Sequence, residues 1–263
     1  MSLPRFFLNE QVLSDIDESR FILDLNEDDL HHLHVLRLDI GERVAVVDGD
    51  SDYFICQIEA FEGKRPVVSI AERGRAGRAR PSVELFQALP KQSKLDEVVR
   101  HGTEIGVDGF HPFLSRRCVA KLDEVKSHKR LQRWQQVARS AAMQSGRNHV
   151  PEVHALASFE AALEDLLLFD AVLLFWEETE GSDTIAAALA QSQVTPQDAD
   201  KRIAVVIGSE GGFEEDEVRR ILDGCSHAHC LSLGDTILRT ETAGIVGSAL
   251  VIYEVGGLGN GRG

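Results

Sequence analysis

Two glycine-bearing segments hold the residues best suited to chemistry: Ile207-Gly-Ser-Glu-Gly-Gly-Phe213 and Leu231-Ser-Leu-Gly-Asp-Thr-Ile-Leu-Arg-Thr-Glu-Thr-Ala243. Each leaves an apolar strand-like stretch, turns on glycine and enters a helix-like stretch. Open α/β sheets build a ligand crevice at their strand ends in this way. The first turn lacks the spacing of both the dinucleotide fingerprint and the phosphate-cradling P-loop. The helix after it opens with Glu214, Glu215, Asp216 and Glu217, which neutralise the positive helix end that would otherwise attract an anion. A neutral or cationic ligand is therefore expected. Gly208, Gly211 and Gly212 let backbone approach that ligand closely, because they carry no Cβ; a branched residue at Gly211 is expected to block the pocket. Arg239 offers a permanently charged planar fork. Glu210 and Glu241 offer carboxylates that could accept a proton or hold an amine, and an ion pair of Arg239 with either is the plain structural alternative. Ser209 is not placed as a hydrolase nucleophile, since the nucleophile elbow needs one residue between glycine and serine.

Positioning two such loops requires a sheet with helices. Strand patterns lie near 83–89, 109–114, 170–176, 203–207 and 229–233, alternating with helix patterns near 93–105, 124–145, 158–166, 183–192, 215–223 and 241–255, which reads as an α/β architecture. The helix after Pro90 places Leu95, Val98, Val99, Gly102 and Ile105 on one face and leaves Lys91, Lys94 and Arg100 for solvent or a partner, with Gly106 as its end. Thr240 and Thr242 are expected to cap the last helix. That helix is apolar or small nearly all round from Ala243 to Ile252 and is expected to be buried. Before residue 74 the pattern alternates like strands, with one helix-like insertion around 28–38. The expected division is a β-rich domain over 1–73, a glycine, proline and arginine linker over 74–82, and an α/β domain over 83–263.

At 263 residues and a net charge of −15, the chain suits a soluble enzyme of two unequal domains. No apolar run is long enough to span a bilayer and no leader is evident, so a cytoplasmic location and no membrane partner are expected. Four cysteines without a framework suit free thiols. No metal is expected: Cys225-Ser-His-Ala-His-Cys230 lacks the spacing of a closed zinc site, and His31, His32 and His34 read as ordinary helix residues. The acidic total argues against nucleic acid, since cations supply much of that affinity. The distribution argues the other way. Basic residues concentrate at Lys64, Arg65, Arg73, Arg75, Arg78 and Arg80 and again from Arg116 to Arg147, which could form a basic path across an acidic protein.

Gly208-Ser-Glu-Gly-Gly212 with Ile237-Leu-Arg-Thr-Glu-Thr-Ala243 resembles the RsmE family of 16S rRNA (uracil-N3) methyltransferases, of the knotted SPOUT superfamily. The likeness runs through Gln87-Ala-Leu-Pro-Lys91, Thr103-Glu-Ile-Gly-Val107, Arg133-Trp134, Gln144-Ser-Gly-Arg147 and Val150-Pro151, and through His32 with Val35-Leu-Arg37 at the amino end. Ser209 departs from the family's usual proline, Gln92-Ser93 from Gly-Asp and His101-Gly102 from Lys-Ala. The resemblance implies a trefoil-knotted α/β methyltransferase domain with a small PUA-like β-barrel before it. It also implies a homodimer that uses S-adenosylmethionine to methylate N3 of a uridine in 16S rRNA or the small ribosomal subunit. Leu174, Gly208, Glu210, Gly211, Gly212, Leu233, Gly234, Ile237, Leu238, Thr240, Thr242 and Ala243 would hold the cofactor. Arg239, Glu210 and Glu241 would serve catalysis. His32, Arg37, Arg75, Arg78, Arg80, Lys91, Lys94 and Arg147 would hold RNA. A noncatalytic ribosome-assembly factor retaining the fold is the alternative, supported by Ser209 and the altered Lys91-Gln-Ser93 segment; a small-molecule nucleotide enzyme is disfavoured by the missing phosphate motifs.

Overall fold

The computed structural model describes residues 3–50, 52–74, 80–119, 124–179 and 183–259. The chain forms two compact units, one of Met1–Gly77 with Ala142–His149 and one of Arg78–Ala141 with Val150–Gly263.

The first unit contains β1 (Arg5–Phe7), β2 (Phe21–Ile22), α1 (Glu27–Val35), β3 (Arg43–Val47), β4 (Tyr53–Glu62) and β5 (Arg65–Arg73). They form a sheet in the order β1-β3-β4-β5-β2, parallel at β1/β3 and antiparallel elsewhere. Alternation along β4 turns Phe54, Cys56 and Ile58 inward to a core with Phe6, Leu13, Leu23, Leu33 and Val68. Asn26 caps α1 by accepting the Asp29 N–H, and the helix ends before Arg37, at φ 54°. Arg5 donates to Asn148 Oδ1 at 2.8 Å and to the Gly146 carbonyl, and Met143 packs on the same core. Arg65 to Arg73, whose end arginines sequence also places in a basic stretch, is a strand paired with β4.

The second unit contains β6 (Ser82–Ala88), α2 (Lys94–Ile105), β7 (Gly109–Leu114), α3 (Glu124–Ser145, whose last turn belongs to the first unit), β8 (Glu152–Val153), β9 (Ala157–Ser158), α4 (Phe159–Leu166), β10 (Ala171–Phe175), α5 (Ile185–Gln191), β11 (Arg202–Ile207), α6 (Glu215–Gly224), β12 (Ala228–Leu231) and α7 (Thr240–Glu254). The sheet is parallel, in the order β12-β10-β11-β6-β7-β8, with β9 also on β7. β10 and residues 203–207 of β11 are buried throughout, as expected of strands covered on both faces. On one face α2 and α7 pack with Trp134, Leu85 and Val205; on the other Phe86, Phe113, Leu174 and Phe213 form a second core. The expected face of α2 is inward and Gly106 ends it at φ 113°. No helix among the described residues is long and apolar enough to cross a membrane.

Two expectations fail at α7. The helix is not buried all round, since Leu250 and Tyr253 stay 43% and 59% exposed. Nor do its threonines cap it. Arg239 is the N-cap residue, Thr240 turns its hydroxyl to the Gly208 carbonyl at 2.6 Å, and Thr242 is exposed in the first turn.

Candidate active site

The parallel register sets the strand ends side by side. Phe175 pairs with Ile207 and with Leu231, and Ile207 with Gln87. The segments leaving β10, β11 and β12 therefore open on one rim of the sheet, at its carboxyl end, where α/β sheets bind ligands. With Lys94 of α2 and the start of α7 they line a cavity of about 560 Å³.

The β11 turn is closed by a hydrogen bond from the Gly212 N–H to the Ser209 carbonyl, 2.9 Å. Gly212 sits at φ 68°, a conformation side chains disfavour, and a Cβ on Gly208 would lie 3.0 Å from the Gly212 carbonyl carbon. Both glycines are thus demanded by the turn. Gly211 is not. Its φ is ordinary, an added Cβ would meet the Arg117 side chain at 3.1 Å, and it lies off the cavity wall. The start of α6 is satisfied from within: buried Glu217 accepts the backbone N–H groups of Glu214 (3.0 Å) and Arg116 (2.9 Å). The acidic first turn therefore has the role of neutralising the helix end that its composition implied.

Beneath the cavity Gln87 ties three elements together. Its Nε2 donates to the Ala88 and Gly208 carbonyls and to Thr240 Oγ1 (3.1, 3.2 and 2.9 Å). Its Oε1 is buried, with no partner among the described residues, and an added Cβ on Gly244 would come within 2.6 Å of it. Gly244→Ala should thus overpack a buried, committed amide and lower stability by about 1–3 kcal/mol. Urea unfolding of the variant measures this, and an unchanged midpoint would contradict it.

Lys94, read from sequence as a cation left for solvent or a partner, is instead paired, whereas among the described residues the Arg239 guanidinium is not. The Lys94 ammonium lies 3.2 Å from Glu210 and 3.0 Å from Glu241, so this lysine is a structural bridge and not a free cation. Glu210 also accepts the Lys91 N–H at 3.0 Å. Burial opposes ionisation of Glu210 and Glu241, yet backbone N–H groups and the Lys94 ammonium outweigh it and hold both below the usual carboxylate range. Both are committed anions and poor proton acceptors. Arg239 is exposed on the cavity lining, and its guanidinium has no hydrogen bond or ion pair among the described residues.

Of the expected cofactor residues, Gly208, Glu210, Gly212, Leu233, Gly234, Ile237, Leu238, Thr240 and Ala243 line the cavity; Leu174 lies wholly buried in the core beneath, and Gly211 and Thr242 point elsewhere. Trp176, Glu177 and Thr179 also line it. They escaped the sequence reading because Trp176 to Thr179 carry no glycine and no recognised motif; the rule that strand ends form the crevice is the signal that could have found them.

Among the expected RNA residues, His32 and Arg37 are exposed and Arg147 half-buried in the first unit, with the Arg147 guanidinium 2.7 Å from His149 Nε2. In the second unit Lys91 is exposed. Arg80, read as a linker cation, is instead 14% exposed and clamps Asp108 and the Gly106 carbonyl at 2.9 and 2.7 Å. Arg75 and Arg78 lie outside the described residues. From the second basic concentration, Arg116 pairs with Asp216, Arg117 with Glu214 and Arg133 with Asp96.

A cluster that sequence did not suggest joins Glu84, His111 and His154. Glu84 Oε2 lies 2.8 Å from His111 Nε2, and Arg202 forks onto both carboxylate oxygens at 3.2 Å. The two imidazoles stack at 4.0 Å and 17°, so their in-plane lone pairs run nearly parallel and do not converge on an ion. Burial opposes Glu84 ionisation, but hydrogen bonds from His111 and Arg202 with the Arg202 charge hold its pKa at about 2, against an ordinary 4.5. A depressed folded value means this stabilisation is full above about 4.5 and is lost as pH falls toward 2. Glu84→Gln should flatten the acid limb of the stability profile in urea melts; an unaltered slope would exclude Glu84 as its source.

Residues 78–252 match a family described as an RNA methyltransferase domain and residues 25–71 one described as an RNA methyltransferase PUA domain. The chain is 31% identical over 255 residues to ribosomal RNA small subunit methyltransferase E of Bacillus subtilis (strain 168), covering 96% of this chain and 97% of that protein. Its likeness to the protein of that name from Mycobacterium tuberculosis (strain CDC 1551 / Oshkosh) is 33% over 225 residues, 84% and 81% of the two chains. A solved ribosomal RNA small subunit methyltransferase E from Neisseria gonorrhoeae, bound to S-adenosyl methionine, superposes with a TM-score of 0.75 at 26% identity, over 96% of this chain and 98% of that one.

Proposed function

Because the chain belongs to the ribosomal RNA small subunit methyltransferase E family, we propose that it methylates N3 of a specific uridine in 16S rRNA, in the cytoplasm, with S-adenosylmethionine as donor. The observation that carries this reading is the cavity at the strand ends, walled by the Gly208–Gly212 turn and bordered by unpaired Arg239. Its volume suits a nucleoside-sized ligand, and the two glycines the turn demands keep its wall thin. Gly208, Gly212, Leu233, Leu238 and Ala243 would hold the cofactor. When bound, S-adenosylmethionine supplies a methyl group on a cationic sulfur that leaves as a neutral thioether.

Arg239 would face the uracil edge. Loss of the N3 proton spreads negative charge over the flanking carbonyl oxygens, and a guanidinium already in place lowers the cost of that anion without reorganising. Glu210 and Glu241, held as anions by Lys94, would keep that lysine from competing with Arg239 and would shape the site, with the proton passing to solvent. Orientation of the two reactants inside a narrow cavity supplies the rest of the acceleration.

The finer architecture follows the same reading. Residues 1–73 would form a PUA-like barrel that grips rRNA, 74–82 a linker, and 83–263 a trefoil-knotted transfer domain. Hydrogen bonds among Gln87, Gly208 and Thr240 tie both loops to β6. The exposed apolar Leu250 and Tyr253 on α7 support a homodimer through that helix. With Arg80 committed to Asp108, RNA contact near the linker would rest on Arg75 and Arg78. Neutralising these two should weaken rRNA binding and reduce the salt slope by about one to two. Titrations at several salt concentrations test this; an unchanged slope removes them from the interface.

The deciding experiment is incorporation of labelled methyl into small ribosomal subunits from a strain lacking this gene, with the nucleoside identified by mass spectrometry. Formation of 3-methyluridine is expected. Cofactor binding without incorporation would favour the noncatalytic assembly factor.

A further inference from the structure

Glu210 and Glu241 both approach the cavity with their charge answered by Lys94. Glu177 is different. It lines the cavity on the segment leaving β10, is exposed, and has no hydrogen bond or ion pair among the described residues. Arg117, whose field reaches it, is committed to Glu214 at 2.9 Å and to the Gly211 carbonyl at 2.7 Å. The Glu177 carboxylate sits against the bare Cα of Gly212: a Cβ there would lie 2.6 Å from its Oε1. Asp235 is a further carboxylate on the lining. It is exposed on the loop that leaves β12, whereas Glu177 lies against Gly212.

We infer that Glu177 is a specificity residue of this cavity, the counter-charge that selects a cationic nucleoside over a neutral one. The inference rests on the proposed S-adenosylmethionine reading and names the residue that answers the ligand's positive charge. A sulfonium offers no N–H to hydrogen-bond, so an anion can recognise it only through its charge. The α-ammonium of the same ligand would meet the same field. Glu210 and Glu241 are poor candidates because Lys94 already neutralises them. Glycine at 212 acquires a second role, leaving the Glu177 carboxylate uncovered on the cavity side of the turn.

The test is isothermal titration of the intact chain with S-adenosylmethionine, S-adenosylhomocysteine and 5′-methylthioadenosine, the last sharing the nucleoside but carrying neither cation. Glu177→Gln should weaken S-adenosylmethionine by about fivefold, the scale of a solvent-exposed charge pair, and leave 5′-methylthioadenosine unchanged. Equal weakening of S-adenosylhomocysteine assigns the ammonium as the partner, and weakening confined to S-adenosylmethionine assigns the sulfonium; either supports the inference. Glu177→Asp, which keeps the charge, should retain most of the affinity. Wild-type affinity for the cationic ligand should also fall with added salt, a measurement that needs no variant. Equal weakening of all three ligands, or no weakening of any, overturns the inference while leaving the methyltransferase reading intact. Failure of the wild-type chain to bind S-adenosylmethionine would instead sink both.

Discussion

Gly212→Val should reduce S-adenosylmethionine affinity at least a hundredfold while the chain stays folded. Three features of the turn converge on this residue. Its φ of 68° lies in the region that a β-branched side chain avoids most strongly. Its N–H closes the turn on Ser209, so a backbone that relaxes to an ordinary φ gives up that bond. Its Cα faces Glu177, whose Oε1 an added Cβ would approach to 2.6 Å. Glu177 could swing aside, since Oε1 ends a flexible side chain; the φ is what makes the turn move. Gly211→Val is the contrast. With an ordinary φ and only the Arg117 stem beside it, it should cost no more than a few-fold. Calorimetric titration of both variants, with circular dichroism to verify the fold, compares them. Equal affinities would mean that the cofactor does not rest on this turn.

That contrast marks where sequence stopped being informative. Three glycines in a row of five announced a tight turn, but which of them carries positive φ depends on the chain direction imposed by β11 and α6. The long elements were legible because their signals are local: β10 is an uninterrupted apolar run, and the helix after Pro90 repeats its apolar residues at three and four. β8 and β9, two residues each, have no pattern of their own and exist only because β7 offers them an edge. Lys94 and Arg80 show the same limit for charge. Sequence reads both as solvent-facing cations, whereas the fold sets Lys94 against carboxylates more than a hundred residues away and Arg80 against Asp108. The burial of α7 was overestimated for a related reason: its composition suits contact on all sides, and one chain covers only the side facing α2, α5, β6 and β11. In the proposed dimer a second copy would supply the rest.

Arg239→Ala should lower the rate of methyl transfer by about a hundred- to a thousandfold, the range for removing one preorganised donor at a developing anion, and change cofactor affinity less than twofold. The split follows from how the residue is held. Its backbone is fixed as the N-cap of α7, with its carbonyl accepting the Ala243 N–H at 2.8 Å, and Thr240 beside it is anchored on Gly208. Truncation therefore leaves the cavity wall in place and removes only the charge. Nothing else on the lining can replace that charge, because Lys94 is bound to Glu210 and Glu241. Lysine should rescue poorly, since a point charge cannot meet two carbonyl oxygens as a planar fork does. Glu241→Gln sharpens the test. It loosens Lys94, so in the Arg239→Ala background a partial return of activity would show that a mobile cation suffices, and no return would show that the fork itself is required. Wild-type rates in Arg239→Ala would place the charge that stabilises the proposed uracil anion on another residue, and Arg239 would then be a substrate-holding group whose loss appears in KM alone.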